Sequence, residues 1–514
     1  MSRVSKSLKN AKVGAFFFVA SIFVQFFTRK IFLDALGDEF IGLTSTLRSI
    51  LGFLNLAELG IGTAIGYALY KPIFDKNQDE INRIIALLGI LYKRIGLFIL
   101  GAGVLVALFF PYFFEDTQFS IGLIYFVFFS FLSSTLLTYF VNYHMTLLEA
   151  DQKGYVVQVY FQTLNIVRLF IQAAIAYYLQ DFYLWIFMEV VFSIFLSIVL
   201  RYKIKQHYPW LIIKANEKAD IIKRYPDVIK KTKQLFIHKM GSFVKDGTDN
   251  ILVYALVSLE SVAFFGNYQL IFMKLIGLIK ITFSGIGAGV GNLVAENNKS
   301  QINKVFWEMM GLQFFIGGFF SLAIYYLISP FIMLWIGDKY ILDDMIIYLM
   351  IGNFFISVIR SPVQYFQNAY GLFSDVWAPF TEIILNLVVS IIFGKLYGIA
   401  GIMLGTFSSL AVIVLLWKPY FVYKRGFEKS IWEYWKGFLL LSVVLIVSST
   451  LIHFIASNYL TVNVSSFLGW SFSAVKISAL IIIIYGSLLY LFSVGFRNIC
   501  LRFKALIFSK IGMK

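Results

Sequence analysis

Residues 60–66 read GIGTAIG and residues 285–291 read GIGAGVG, 225 positions later, each inside a long apolar segment. A second match follows, Tyr139-Phe140-Val141-Asn142 against Tyr365-Phe366-Gln367-Asn368, at an offset of 226. Beyond each anchor the register shortens to 221, pairing Ile81-Asn82-Arg83 with Ile302-Asn303-Lys304 and Leu164-Asn165 with Leu385-Asn386. Glycine-rich apolar helices resemble one another, so one match has no weight. Four in order, each in the equivalent segment, mark an internal repeat of the kind that builds transporters from two halves.

The segments that carry the repeat are membrane spans. Of 514 residues 59% are hydrophobic and 14% charged, with a mean hydropathy of +0.79, more apolar surface than a water-soluble fold can hide. A hydrocarbon core about 30 Å thick needs about 20 residues per helix, and the sequence predicts about fourteen such helices. They lie near 13–33, 42–69, 84–110, 119–142, 155–178, 183–201, 236–258, 262–293, 305–328, 345–369, 376–393, 398–417, 434–456 and 471–495. Six spans return the chain to the side where it began, so the two halves share one orientation about an axis along the membrane normal. The expected fold is an all-α polytopic protein. A six-helix bundle over 1–203 is followed by a basic linker, 204–235, and a second bundle, 236–425; two additional helices and a basic tail occupy 426–514. The site is expected between the halves.

The net charge of +16 does not point to nucleic acid, because the cations alternate with the spans. Arg3, Lys6, Lys9 and Lys12 precede the first span; Lys71, Lys76 and Arg83 follow the second; the segment 201–235 holds ten Lys and Arg; Lys418, Lys424 and Arg425 follow the twelfth; Arg497, Arg502 and Lys504 follow the fourteenth. The intervening connections 34–39, 111–116 and 457–466 contain none. The positive-inside rule then places both termini and the linker in the cytoplasm. The linker is expected to lie on the anionic leaflet as an amphipathic helix or to be a solvated connection. The first apolar segment lacks a cleavage pattern and is expected to stay as a helix. With Cys500 the sole cysteine, an intrachain disulfide and a Cys-based metal cluster are excluded, and no cofactor or metal is expected.

At 100° per residue, Thr44, Arg48, Gly52, Asn55, Glu58, Gly62 and Gly66 share one face of the second span, and Asn267, Lys274, Gly277, Gly285 and Asn292 share a stripe of the eighth. Arg48 and Lys274 then lie at comparable depth in the two halves. Charges at membrane depth face a cavity or a partner, and the surplus here is cationic. Arg48, Lys274, Arg29, Asn55, Lys280, Arg168 and Arg360 are the candidate lining of a cavity for an anionic head group; the competing role for Arg48 is an ion pair with Glu58 or with a neighbouring span. Glu58 and Asp249 are candidate ion-coupling groups, against the simpler reading that each pairs with a cation. The glycines of the second and eighth spans suit close helix packing or flexing.

The stretches FFTRKIFLDALGDEFIGLTSTLRSILGFLNLAELGIG at 26–62 and LLEADQKGY at 147–155 resemble the Wzx-type oligosaccharide-lipid flippases of bacterial surface-polysaccharide clusters, in the multidrug/oligosaccharidyl-lipid/polysaccharide exporter superfamily. The resemblance extends through the chain in span count and two-half layout. It implies two six-helix bundles that open alternately to each face, plus two extra helices, in the bacterial cytoplasmic membrane. It also implies a polyprenyl-diphosphate-linked oligosaccharide as substrate, a repeat unit of O-antigen, capsule or exopolysaccharide, with a polysaccharide polymerase and a chain-length regulator as partners beside the membrane lipids. For the site it implies only a general basic role for Arg29, Arg48 and Lys274.

Three other functions compete. A lipid II flippase shares the layout. A drug or metabolite antiporter of the same superfamily typically holds cationic substrates with acids, whereas the buried surplus here is basic. A membrane glycosyltransferase or polymerase finds support only in Asp38-Glu39 of the first outward loop, with no outward connection long enough for an acceptor domain. No Walker A pattern occurs, so the chain is expected not to be an enzyme or an ATPase.

Overall fold

The computed structural model describes residues 3–58, 60–212, 224–226, 228–230, 232, 247–283, 286–459 and 465–511. The regular structure of these residues is helical, with no strand among them, and twelve helices are long and apolar enough to cross a membrane. They match twelve of the fourteen expected spans. Of the other two, the seventh is described only from residue 247 onward, and the second is broken.

The first unit, Met1–Gly266, begins with α1 (Arg3–Leu36) and α2 (Asp38–Leu54), joined by Gly37 at φ +84°, where a side chain would be strained. Asp38 and Glu39 open α2, acids at the positive end of the helix dipole. A 3₁₀ turn, Asn55–Glu58, and Gly60 at φ +98° then separate α2 from α3 (Ile61–Phe74). The single helical face expected from Thr44 to Gly66 therefore stops at Asn55, because left-handed backbone at Gly60 resets the direction of the chain. α4 (Gln78–Ala107), α5 (Phe110–Phe113), α6 (Ile121–Phe140), α7 (Met145–Ala150), α8 (Gly154–Leu179) and α9 (Phe182–His207) follow. The described part of the next helix is 247–256, and α10 (Leu259–Thr282) carries the chain into the second unit.

Parts of the linker lie against the first unit. Tyr225 donates to Glu80 Oε1 at 2.6 Å and Ile212 N to Asn82 Oδ1 at 2.9 Å, with Val228 buried. Burial and the Glu80 carboxylate push the Tyr225 hydroxyl up to about 12. The rest of 204–235 lies outside the described residues.

The second unit, Asn267–Lys514, continues with α11 (Ile286–Ala295), α12 (Lys299–Ile336), α13 (Asp344–Ile359), α14 (Ser361–Ala369), α15 (Trp377–Tyr397) and α16 (Ile399–Ser409). A π-helical segment leads to α17 (Lys418–Val422), and α18 (Ile431–Tyr459), α19 (Phe467–Ile481), α20 (Ser487–Phe492) and α21 (Val494–Ile511) complete it. The added helices clasp α12: Tyr485 donates to Phe314 O at 2.8 Å, Arg502 pairs at 3.1 Å with Glu308, which is 2% exposed, and Gly311 leaves room for the Phe496 backbone.

The repeat is visible in backbone detail. Asn77 caps α4 by accepting from Glu80 N at 3.0 Å, and Asn298, 221 residues later, caps α12 by accepting from Gln301 N at 3.1 Å. The residue before each cap, Lys76 or Asn297, has a positive φ, 54° or 55°. Five glycines of the repeated motif are not sites of tight packing: a Cβ at Gly62 or Gly287 would meet a tyrosine ring or hydroxyl at ordinary distance, and at Gly66, Gly289 and Gly291 it would meet nothing within 4 Å. Close packing falls instead at Gly405, against Ser390 and the backbone of Asn386, and at Gly401, against the backbone of Phe393.

Candidate functional site

Within the first unit a cavity of about 350 Å³ lies among α2, α6, α8 and α9. Each wall is a helical face read at three- and four-residue steps. Arg48, Leu51, Gly52 and Asn55 come from α2; Phe131, Ser134, Thr135, Thr138 and, just beyond the helix, Asn142 from α6; Phe161 from α8; Glu189, Ser193 and Leu196 from α9. Hydroxyl and amide groups thus dominate the α6 side, although this segment, FLSSTLLTYFVN, passes as an ordinary apolar span. Among the described residues, the only ionisable ones on the lining are Arg48 and Glu189.

Arg48 is held from two sides. Its Nη2 donates to Glu189 Oε2 at 2.8 Å, and its guanidinium lies 4.1 Å from the centre of the Phe131 ring, a cation–π contact that fixes the plane of the donors. The other oxygen of Glu189 accepts from Arg168 Nη1, and Arg168 Nη2 donates to Asn165 Oδ1 at 2.6 Å. The three side chains differ in access: Arg48 is 47% exposed, Arg168 15% and Glu189 10%. One buried carboxylate is therefore shared by two guanidiniums, of which only Arg48 reaches the cavity, while Arg168 stands behind Glu189. Glu189 sits in the apolar run FMEVVF and has no sequence signal beyond being an acid at depth; its partners are set by which helices pack together.

Next to this cavity lies a second cluster. Tyr92 of α4 donates to Glu58 Oε1 at 2.6 Å, and Tyr139 of α6 donates to Glu58 Oε2 at 2.9 Å and lies 3.2 Å from Asn55 Oδ1. The two rings meet edge to face at 5.4 Å. Among the described residues no Lys or Arg lies within ion-pair distance of Glu58, so neither the expected cation partner nor an Arg48–Glu58 pair is found. Tyrosine hydroxyls take that place, and Arg48 pairs instead with a neighbouring span. Glu149 of α7, outside the spans, has its carboxyl held above the usual range by burial and then by Glu58. In the second unit the repeat counterpart of Tyr139, Tyr365, reaches only the main-chain oxygen of Phe283, at 3.5 Å. Phe283 stands where the repeat would put Glu58, so the carboxylate is peculiar to the first half.

The remaining candidates are dispersed. Arg29 Nη2 donates to Ala263 O at 3.1 Å. Asp249 is buried on the helix 247–256 beside Asn250, which donates to Ser49 Oγ at 3.1 Å. Lys274 and the exposed Lys280 are on α10, and Arg360 forms the joint between α13 and α14. No group of three or more His, Cys, Asp or Glu able to hold a metal occurs among the described residues.

No protein-family model and no curated protein sequence matches the chain. Solved structures do. The lipid II flippase MurJ in an inward closed conformation superposes with a TM-score of 0.68 at 15% identity, over 93% of this chain and 98% of that one. An inward-facing multidrug-resistance MATE transporter of the MOP superfamily gives 0.56 at 14%, over 78% and 96%. A MOP-superfamily transporter from Pyrococcus furiosus, described as having a binding pocket of reversed polarity, gives 0.53 at 15%, over 83% and 96%. At these identities the likeness is one of fold: a multi-pass membrane protein with the architecture of the MOP-superfamily transporters and flippases.

Proposed function

We propose that the protein flips a polyprenyl-diphosphate-linked oligosaccharide across the bacterial cytoplasmic membrane for surface-polysaccharide synthesis. The observation that carries this reading is the cavity itself, with one presented guanidinium, Arg48, and a wall of hydroxyls and amides. A diphosphate bearing sugars cannot cross hydrocarbon unaided, because each unsatisfied polar group costs several kcal/mol there; the polyprenyl tail needs no such help. Arg48 would take the phosphate oxygens, while Thr135, Thr138 and Asn142 offer hydrogen bonds to sugar hydroxyls. The alternative of a lipid II flippase has the overlay on MurJ in its favour. Both are tested by mass spectrometry of lipid-linked glycans after deletion of the gene. Build-up of a complete polysaccharide repeat unit on its lipid, sealed from external reagents, is the expected result. Build-up of lipid II would assign the alternative, and an unchanged pool with altered drug tolerance would overturn both.

Glu58 is the proposed coupling group. Its carboxylate is bonded by the Tyr92 and Tyr139 hydroxyls beside the cavity, and an acid at membrane depth is a candidate for ion coupling. Glu58→Gln is expected to leave the fold intact, since an amide oxygen still accepts from one tyrosine, and to make flipping in proteoliposomes indifferent to an imposed pH or sodium gradient. A variant that responds to both gradients like the parent would remove Glu58 from this role.

A further inference from the structure

Arg168 was a candidate for the cavity wall, yet it does not reach the cavity. We infer that Arg168 sets the anion affinity of the site at a distance, by occupying half of Glu189 and so leaving the positive charge of Arg48 uncompensated. The charge count carries this. Arg48 and Glu189 alone would form a neutral pair, and among the described residues the lining holds no other ionisable group. Arg168, sharing Glu189 with Arg48 and kept from the cavity by burial, restores a net charge of plus one to the cluster. Asn165 fixes the Arg168 guanidinium from the far side at 2.6 Å, so Arg168 has no free swing toward a ligand.

This gives Arg168 and Glu189 opposite, compensating roles. Arg168→Gln makes the cluster neutral, Glu189→Gln gives it two positive charges, and the double variant returns to one. Loss of a buried pair is itself partly relieved when both partners go, so recovery of stability in the double variant is no test; the discriminating result is the rise in anion preference in Glu189→Gln, which a purely structural role does not produce.

The inference rests on the head-group reading for its purpose, but the charge can be measured without a substrate. In full-length Cys500→Ser protein, which has no other cysteine, Thr138→Cys places a thiol on the exposed α6 wall. The rate of its modification by a negatively charged methanethiosulfonate relative to a positively charged one reports the local potential. One unit charge within about 10 Å at an effective dielectric near 20 is expected to move the two rates about tenfold each in opposite directions, and so the ratio about a hundredfold. The ratio should fall in Arg168→Gln, rise in Glu189→Gln and return to the parental value in the double variant. A double variant that melts like the parent yet keeps the Arg168→Gln ratio would overturn the inference. Binding of geranylgeranyl diphosphate to the same variants in nanodiscs is expected to follow the same order. If the ratios follow the charge but this probe binds none of the variants, the head-group reading fails and the charge assignment stands.

Discussion

Arg48→Ala is expected to lower flipping of a polyprenyl-diphosphate lipid about a hundredfold while leaving the protein folded. Each hydrogen bond to a charged group is worth roughly 1.5–3 kcal/mol, and a guanidinium meets a phosphate through two of them. Losing both, at about 1.4 kcal/mol per tenfold, gives at least two orders of magnitude. The fold should tolerate the change because Arg48 is half exposed and Glu189 retains Arg168. Arg48→Lys is expected to recover only part of the rate, since an ammonium neither forks onto a phosphate nor lies flat on Phe131. The measurement is protection of a fluorescent short-chain polyprenyl diphosphate from an impermeant reductant in proteoliposomes. Parental rates in Arg48→Ala would separate the cavity from transport.

Asp375→Ala is expected to be the most destabilising single change. Asp375, 3% exposed, accepts from Lys418 Nζ at 2.6 Å and from Trp417 Nε1 at 3.2 Å, joining the loop before α15 to the residues around the start of α17. Removing one partner of such a pair leaves a charge without compensation, which costs roughly 3–5 kcal/mol; the orphaned indole N–H adds to that. The first unit has a looser version: Asp151 accepts from Tyr208 at 2.7 Å and pairs with Lys153 at 2.8 Å, and both side chains retain some exposure. Thermal unfolding in detergent, followed by size exclusion, should show a much lower midpoint for Asp375→Ala than for Asp151→Ala. Equal midpoints would mean that the Lys418 ammonium finds water once its partner is gone. Asp375→Ala combined with Lys418→Met should recover part of the loss.

The spans were legible because hydrophobic length is a property of the chain alone, and the repeat because short matches such as residues 60–66 with 285–291 recur in order at a nearly constant offset; the caps Asn77 and Asn298 became visible only in the structure. The polar face of α2 was legible as far as Asn55. Beyond it the wheel failed at Gly60, whose left-handed backbone no periodicity announces. The partners of Arg48 and Glu58 were hidden for another reason. Glu189 lies 141 residues from Arg48, and Tyr139 lies 81 residues from Glu58; an acid in FMEVVF or a tyrosine in LLTYF gains meaning only when α9 and α6 are packed beside α2. The hydroxyls of α6 were missed because serine and threonine can bond back to their own helix and so pass unnoticed in an apolar run.

The break in the second span has one more consequence. α3 begins at Ile61 behind Gly60, which offers its first main-chain amides no side-chain cap. In hydrocarbon, uncapped amides would be untenable, and irregular backbone at this depth persists only where protein encloses it or water reaches it. Gly60 and Ile61 are buried, so protein encloses this turn, and the break in the second span is held by its surroundings rather than by a capping side chain.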